Sequence, residues 1–215
     1  DAEQKTRASQ PLTTRRPTHR YMAIPGLLKE TPREVKISII RDCNNRCIMC
    51  GHWQDPARHK KQIDYDTFTK LTRDLAHMGI KKIRITGGEP LLHPDLYAII
   101  EDAKARGFFV EVCTNGLLLT EETAGGFARL GVDQVSISLD AGESDLHDRI
   151  RGRKGAFEKA VQAFRYLRAK DPFMKLHCNT VIMNKTSNHI LKKNLLNYSF
   201  LISLVEMIGK NSAVF

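Results

Sequence analysis

The chain has 215 residues, 41% of them hydrophobic and 27% charged, which is ordinary for one globular domain and excludes collagen-like or low-complexity architecture. No stretch approaches the ~18 uninterrupted apolar residues of a membrane-spanning helix, and the polar, basic start lacks the apolar core of a secretory leader. The formal net charge of +10 gathers at the ends: residues 1–33 carry +4, residues 183–215 carry +3, and the body between them only +3. A nearly balanced body makes nucleic acid an unfavoured partner, and no membrane partner is expected.

Residues 1–33 mix Thr, Arg, Pro and Gln without periodicity and read as a flexible basic extension. From residue 35 short β-branched runs alternate with helical patterns. Val35–Ile40 is the first strand. Phe68, Leu71, Leu75 and Met78 mark a helix that Gly79 ends. Lys82–Thr86 is the second strand, followed by a helix opening at Pro94 and stopping before Gly107. Phe109–Cys113 is the third strand, and its helix starts near Thr120 with Glu121 and Glu122 in the first turn, where they complement the helix dipole. Gln134–Leu139 is the fourth strand; Phe157, Val161, Phe164 and Leu167 mark the helix after it. Lys175–Ile182 is the fifth, a helix near 187–197 follows, and 200–205 is a sixth strand candidate.

This alternation specifies βα units on a parallel sheet. Six units fall short of the ~250 residues of an eight-fold barrel, leaving an open doubly wound sheet or a partial barrel. The strand faces favour the second. Ile37 and Ile39, Ile83 and Ile85, and Val135 and Ile137 lie on one face; Lys36, Ser38, Arg84, Thr86, Glu111, Ser136, Ser138, His177 and Asn179 lie on the other. A doubly wound sheet, covered on both sides, reads more continuously apolar. The expected fold is therefore α/β, a partial (β/α)6 TIM-like barrel with parallel strands and a wet lumen.

Five cysteines are few, and odd in number, for a disulfide scaffold. Cys43, Cys47 and Cys50 cluster in a C-x3-C-x2-C pattern within a loop of about 23 residues, residues 41–63, after the first strand. Three thiolates so spaced can wrap a soft metal centre in a reducing compartment. Zinc would need a fourth ligand, for which His52 is nearest; a four-iron cubane held by three cysteines leaves one iron open to a ligand. Gly87-Gly88-Glu89-Pro90 ends the second strand, where paired glycines let the backbone approach a ligand and Glu89 adds a carboxylate. Both loops follow strand carboxyl ends and so face one mouth. Cys113 and Cys178 stand alone on strands and read as small buried hydrophobes.

The three cysteines together with the Gly-Gly-Glu-Pro segment resemble the radical S-adenosylmethionine superfamily. The resemblance implies that Cys43, Cys47 and Cys50 bind a [4Fe-4S] cluster, whose open iron the methionyl group of S-adenosylmethionine chelates. It assigns the methionyl amine to Gly87, Gly88 and Glu89. Cys113-Thr114-Asn115-Gly116 resembles the family's T-N-G segment near the cofactor. Ser136-Ile137-Ser138-Leu139-Asp140 resembles its S-L-D segment, so that Ser138 and Asp140 meet the ribose or carboxylate. His147-Asp148-Arg149-Ile150-Arg151-Gly152, followed by Gly155-Ala156-Phe157, resembles a stretch of peptide- and cofactor-maturing members. Arg151 then pairs with the methionyl carboxylate or is a surface arginine at a helix entry, and Asn179 lies near the adenosyl group. Met49 stands where the family commonly has an aromatic residue, and its thioether can make the same soft contact with adenine. Auxiliary-cluster cysteines, carried downstream by some relatives, are lacking here.

The implied function is reductive cleavage of S-adenosylmethionine to a 5′-deoxyadenosyl radical that abstracts hydrogen from a substrate of peptide or cofactor maturation. The implied partners are a small-molecule or peptide substrate and a reductant such as flavodoxin or ferredoxin, in the cytoplasm. The core domain is placed at residues 34–206 and a C-terminal tail at 207–215, with truncation there as one reading. Two other readings stay open: a truncated or degenerate homologue that binds the cluster without turnover, and a zinc-binding module built on Cys43, Cys47, Cys50 and His52.

Overall fold

The structure is a computed structural model and describes residues 32–54 and 61–181. Five parallel strands, β1 (Glu34–Ile40), β2 (Lys82–Gly87), β3 (Phe109–Thr114), β4 (Gln134–Ser138) and β5 (Lys175–Asn179), form one sheet in the order β1-β2-β3-β4-β5. Helices α1 (Tyr65–His77), α2 (Leu96–Ala105) and α3 (Glu121–Arg129) follow the first three strands, and α4 (Ser144–Arg151) and α5 (Ala156–Lys170) both lie between β4 and β5. The helix near 187–197 and the sixth strand at 200–205 lie outside the described residues.

The strand order decides between the two architectures. Right-handed crossovers that always step the same way along a sheet put every helix on one face, whereas a doubly wound sheet needs a reversal of order. No reversal occurs among the described strands. The covered face carries Ile37, Ile39, Ile83, Ile85, Val110, Val112, Val135 and Ile137, all buried, and they share one core with Phe68 and Leu75 of α1, Ile99 and Ile100 of α2, Phe127 of α3 and Phe164 and Leu167 of α5. The opposite face is the polar one expected from the sequence.

Local signals place the helices. Asp64 caps α1, accepting from Thr67 N at 2.8 Å, and Thr120 caps α3, accepting from Thr123 N at 3.2 Å. Helix α1 begins three residues before Phe68, because Asp64 rather than the first apolar residue sets its start. Sequence periodicity missed α4 altogether: Ser-Asp-Leu-His-Asp-Arg-Ile-Arg carries two aliphatic residues in eight. Strands β4 and β5 stop at Ser138 and Asn179, short of the expected Leu139 and Ile182, the latter outside the described residues. No described helix is long and apolar enough to cross a membrane.

Candidate functional site

Residues of all five strands and of the loops that follow them border one cavity of about 500 Å³, at the end of the sheet where ligands bind in barrels of this kind. Its wall includes Cys43, Cys47, Met49 and Cys50 from the loop after β1, Gly87 at the end of β2 and Gly88 just past it, and Asn115 after β3. Ser138, Arg151 and Asn179 complete the predicted set. Glu89 and Asp140, predicted beside them, stand behind the wall as fully buried carboxylates.

The cysteine loop is held from three sides. Gly88 N donates to Ile40 O at 2.7 Å and Glu89 N to Asp42 O at 2.8 Å, so the end of β2 lies directly against the start of the loop. A Cβ on Gly88 would meet Asp42 O at 2.1 Å, and one on Gly87 would meet Ile40 O at 2.3 Å. Both glycines are therefore required by backbone approach within the protein, whatever they do for a ligand. On the second side, Arg46 N and Ile48 N donate to Arg151 O (3.2 Å) and Ile150 O (2.9 Å) at the end of α4. That helix terminates at Gly152, φ +61°, where a Cβ would strike Arg46 O at 2.3 Å. On the third, Asn115 Nδ2 donates to Asn44 Oδ1 at 2.7 Å, while Trp53 Nε1 donates to Cys47 O at 2.9 Å.

Glu89 organises the floor. Its Oε1 accepts from Thr114 Oγ1 at 2.7 Å and Leu91 N at 3.1 Å, and its Oε2 from Asn115 N at 2.8 Å. Burial pushes its carboxyl above the ordinary value against these donors. Asp140 does the same for Arg151. Its Oδ2 lies 2.7 Å from Arg151 Nε as an ion pair, and its Oδ1 accepts from Val181 N at 3.0 Å. Arg151 is buried, 8% exposed, rather than on the surface, and its Nη1 is 3.8 Å from Cys47 Sγ. Burial pushes the Cys47 thiol up, opposed by this guanidinium, and pushes that of Cys43 up to about 11.

The His-Asp-x-x-Arg-Gly stretch turns out to be largely architectural. His147 Nδ1 accepts from Asp140 N at 3.1 Å, and burial lowers its pKa. Asp148 accepts from Gly155 N (2.5 Å) and Phe157 N (3.0 Å), fixing the start of α5. Arg151 is the member of the stretch that reaches the cavity.

The polar sheet face forms the deeper wall. Glu111, 1% exposed, accepts from Lys82 Nζ (2.6 Å), Arg84 Nε (2.9 Å) and Ser136 Oγ (2.6 Å). Burial opposes its charge, but these donors prevail and hold the carboxyl at about 2. Cys113 corrects the expectation of a buried hydrophobe: it borders the cavity, its Sγ 3.6 Å from Glu111 Oε1. Burial and the Glu111 charge push its thiol up to about 12. Cys178 does pack against the core. Trp53 and Asn45 also line the cavity and were not singled out from sequence, although Trp53 is the chain's one tryptophan, three residues past Cys50.

All five cysteines are free thiols. Among the described residues no three His, Cys, Asp or Glu side chains converge tightly enough for one metal ion. Three thiols on one cavity wall are a soft donor set of the kind an iron–sulfur centre takes. The side chain of His52 lies outside the described positions.

A family model described as the radical SAM superfamily matches residues 37–189. The chain belongs to this superfamily. Its members use a [4Fe-4S] cluster and S-adenosylmethionine, and the donor set here, three thiols on a polar-walled cavity, fits both. The chain is 29% identical to the AdoMet-dependent heme synthase of Methanosarcina barkeri over 77% of its own length and 47% of the relative's. It is 35% identical to the GTP 3′,8-cyclase of Chlorobaculum tepidum, over 72% and 46%. Streptococcus suis SuiB bound to S-adenosylmethionine shares the fold, with a TM-score of 0.67 at 18% identity over 80% of this chain and 38% of SuiB; SuiB is also known bound to the precursor peptide SuiA. The chain thus spans less than half the length of these curated relatives.

Proposed function

We propose that this chain is the catalytic core of a radical S-adenosylmethionine enzyme that works in the cytoplasm on a substrate of cofactor or peptide maturation. The core domain is residues 34–206, flanked by a basic extension (1–33) and a tail (207–215). One observation carries the reading: the three thiols of the C-x3-C-x2-C loop border one cavity with residues of all five parallel strands.

Cys43, Cys47 and Cys50 hold the [4Fe-4S] cluster as thiolates. Bound there, the cluster would supply one-electron reductive cleavage of S-adenosylmethionine to a hydrogen-abstracting 5′-deoxyadenosyl radical, with the electron drawn from a reductant such as flavodoxin or ferredoxin. The protein's own residues bind and orient. Gly87 and Gly88 present backbone to the cofactor's amino group. Arg151, aimed by Asp140, offers its remaining N–H donors to the carboxylate. Met49 lays its thioether against the adenine, and Asn115, Ser138 and Asn179 supply polar contacts to the adenosyl group. Glu89 and Asp140 are positioning residues, acting through Asn115 and Arg151.

The deeper wall bears on substrate class. Lys36 borders the cavity beside Arg84 and makes no ion pair among the described residues, whereas Lys82 and Arg84 are both tied to Glu111. The surplus cation favours a substrate with a phosphate or carboxylate group. The relatives named for heme synthesis, GTP cyclisation and a precursor peptide are compatible with that chemistry.

The test is anaerobic reconstitution with iron and sulfide, reduction by dithionite, and detection of 5′-deoxyadenosine after adding S-adenosylmethionine. Product from the wild type and none from Cys47→Ala supports the reading. A cluster without product assigns this chain a cluster-binding role alone, and zinc in place of iron overturns the proposal. Lys36→Met is expected to leave this uncoupled cleavage unchanged while weakening the binding of anionic substrates.

A further inference from the structure

Asn45 is the polar residue of the site that the arrangement above leaves without a task. It lies midway between Cys43 and Cys47, borders the cavity, and is 2% exposed. Neither Oδ1 nor Nδ2 of its side chain has a hydrogen-bond partner among the described residues. The neighbouring polar groups are already engaged: Asn44 Oδ1 accepts from Asn115, and Arg151 is paired with Asp140. An amide buried in this way costs about 1–3 kcal/mol, and an apolar side chain of similar size would fill the place without that loss. Buried polar groups in native proteins nearly always have a partner, and one left without any calls for an explanation such as a redox role or a bound ion.

The chemistry of the position narrows that ligand. Asn45 is covalently bracketed by two cluster thiols, and its own backbone N–H already bonds to the Cys43 thiol. The side chain adds two N–H donors, buried just behind the wall to which Cys43, Cys47 and Cys50 contribute. The sulfurs of an iron–sulfur centre accept such bonds. Each bond stabilises the more negative, reduced state and raises the reduction potential.

We propose that the side-chain amide of Asn45 donates to a sulfur of the cluster held by Cys43, Cys47 and Cys50 and thereby raises its reduction potential. The inference rests on the cluster assignment above. It makes Asn45 a tuning residue that the metal-free fold retains at a loss in stability.

The experiment compares the reconstituted full chain with Asn45→Leu and Asn45→Ser, reading iron and sulfide content, the midpoint potential by EPR-monitored titration without S-adenosylmethionine, and the melting temperature of the metal-free protein. Asn45→Leu is expected to keep its iron, to shift the midpoint to more negative potential, and to melt higher than wild type when metal-free. Asn45→Ser, which keeps a donor, is expected to fall between. Asn45→Ala supplies the same loss of donors if leucine blocks cluster assembly. An unchanged midpoint in the variants lacking the amide overturns the proposal while leaving the cluster assignment intact. So does an unchanged midpoint accompanied by weaker S-adenosylmethionine binding, which would direct the amide to the cofactor. A wild-type chain that assembles no cluster fails at the earlier step.

Discussion

The two faces of the sheet are built from the same strands, one residue out of phase, and behave as different materials. On the helix-covered face, Ile39, Ile83, Ile85, Val112 and Ile137 are fully buried and interchangeable in kind; their contribution depends on area and volume. On the cavity face, Lys36, Arg84, Glu111, Cys113 and Ser138 each hold a particular donor, acceptor or thiol, and none could exchange places with another. Stability therefore resides mainly on one face and ligand chemistry on the other, with the strand ends as the seam.

The largest expected effect separates the two sides. Cys47→Ala removes one of the three thiols of the C-x3-C-x2-C loop, so bound iron and 5′-deoxyadenosine formation should both drop to background. Unfolding of the metal-free protein should change by less than about 1 kcal/mol, since the residue belongs to the site and not to the main core. A fold that collapsed with Cys47 would contradict the division between the faces.

Gly88→Ala tests the seam. The new Cβ would overlap two backbone oxygens, Asp42 O at 2.1 Å and Arg41 O at 2.5 Å, so the cysteine loop must move away from β2. Metal binding tolerates little displacement of its ligands, and roughly a 10- to 100-fold loss in cluster retention is expected, measured as iron remaining against a chelator. Wild-type retention would mean that the loop sets its own shape without β2.

Ile85→Ala tests the covered face. Its side chain is fully buried among α-helical neighbours, and the truncation should cost about 2–5 kcal/mol in denaturant unfolding. The folded fraction should still take up iron.

Much of this division is legible in the sequence, because parity along a strand is a local property. Isoleucine and valine at alternate positions predict the buried face, and Glu111 in the middle of an apolar run announces a polar one. The same parity places Cys113 with Glu111 rather than with the core, although cysteine's usual burial argued otherwise. Residues whose role depends on distant partners were less accessible. The burial of Arg151 follows from Asp140, eleven positions earlier and on another element. Glu89 sits in a recognisable motif, yet its bonds to Thr114 at the end of β3 and to Asn115 just after it are not visible in that motif. Helix α4 escaped because six of its eight residues are polar or charged, and its packing against α5 and its bonds to the cysteine loop are set by the tertiary fold.

The smallest expected effect refines the comparison, since the polar face has a stabilising element of its own. Glu111 is as buried as the isoleucines behind it and joins β2 to β3 and β4 through Lys82, Arg84 and Ser136. Its two cationic partners retain side-chain exposures of 23% and 35%, so water takes up part of any loss. Glu111→Gln should therefore cost about 1–2 kcal/mol at neutral pH, at the lower end for a hydrogen bond to a charged group. The pH dependence distinguishes this from simple packing. With the folded carboxyl held at about 2, below its unfolded value, its stabilisation is fully present above the ordinary carboxylate range. It is lost progressively as the pH falls through that range towards 2. Wild type and Glu111→Gln should differ most at pH 6–7 and converge in acid unfolding. Parallel pH profiles would instead identify Glu111 as a space-filling group, and the cavity face would then lack an electrostatic anchor distinct from its ligand chemistry.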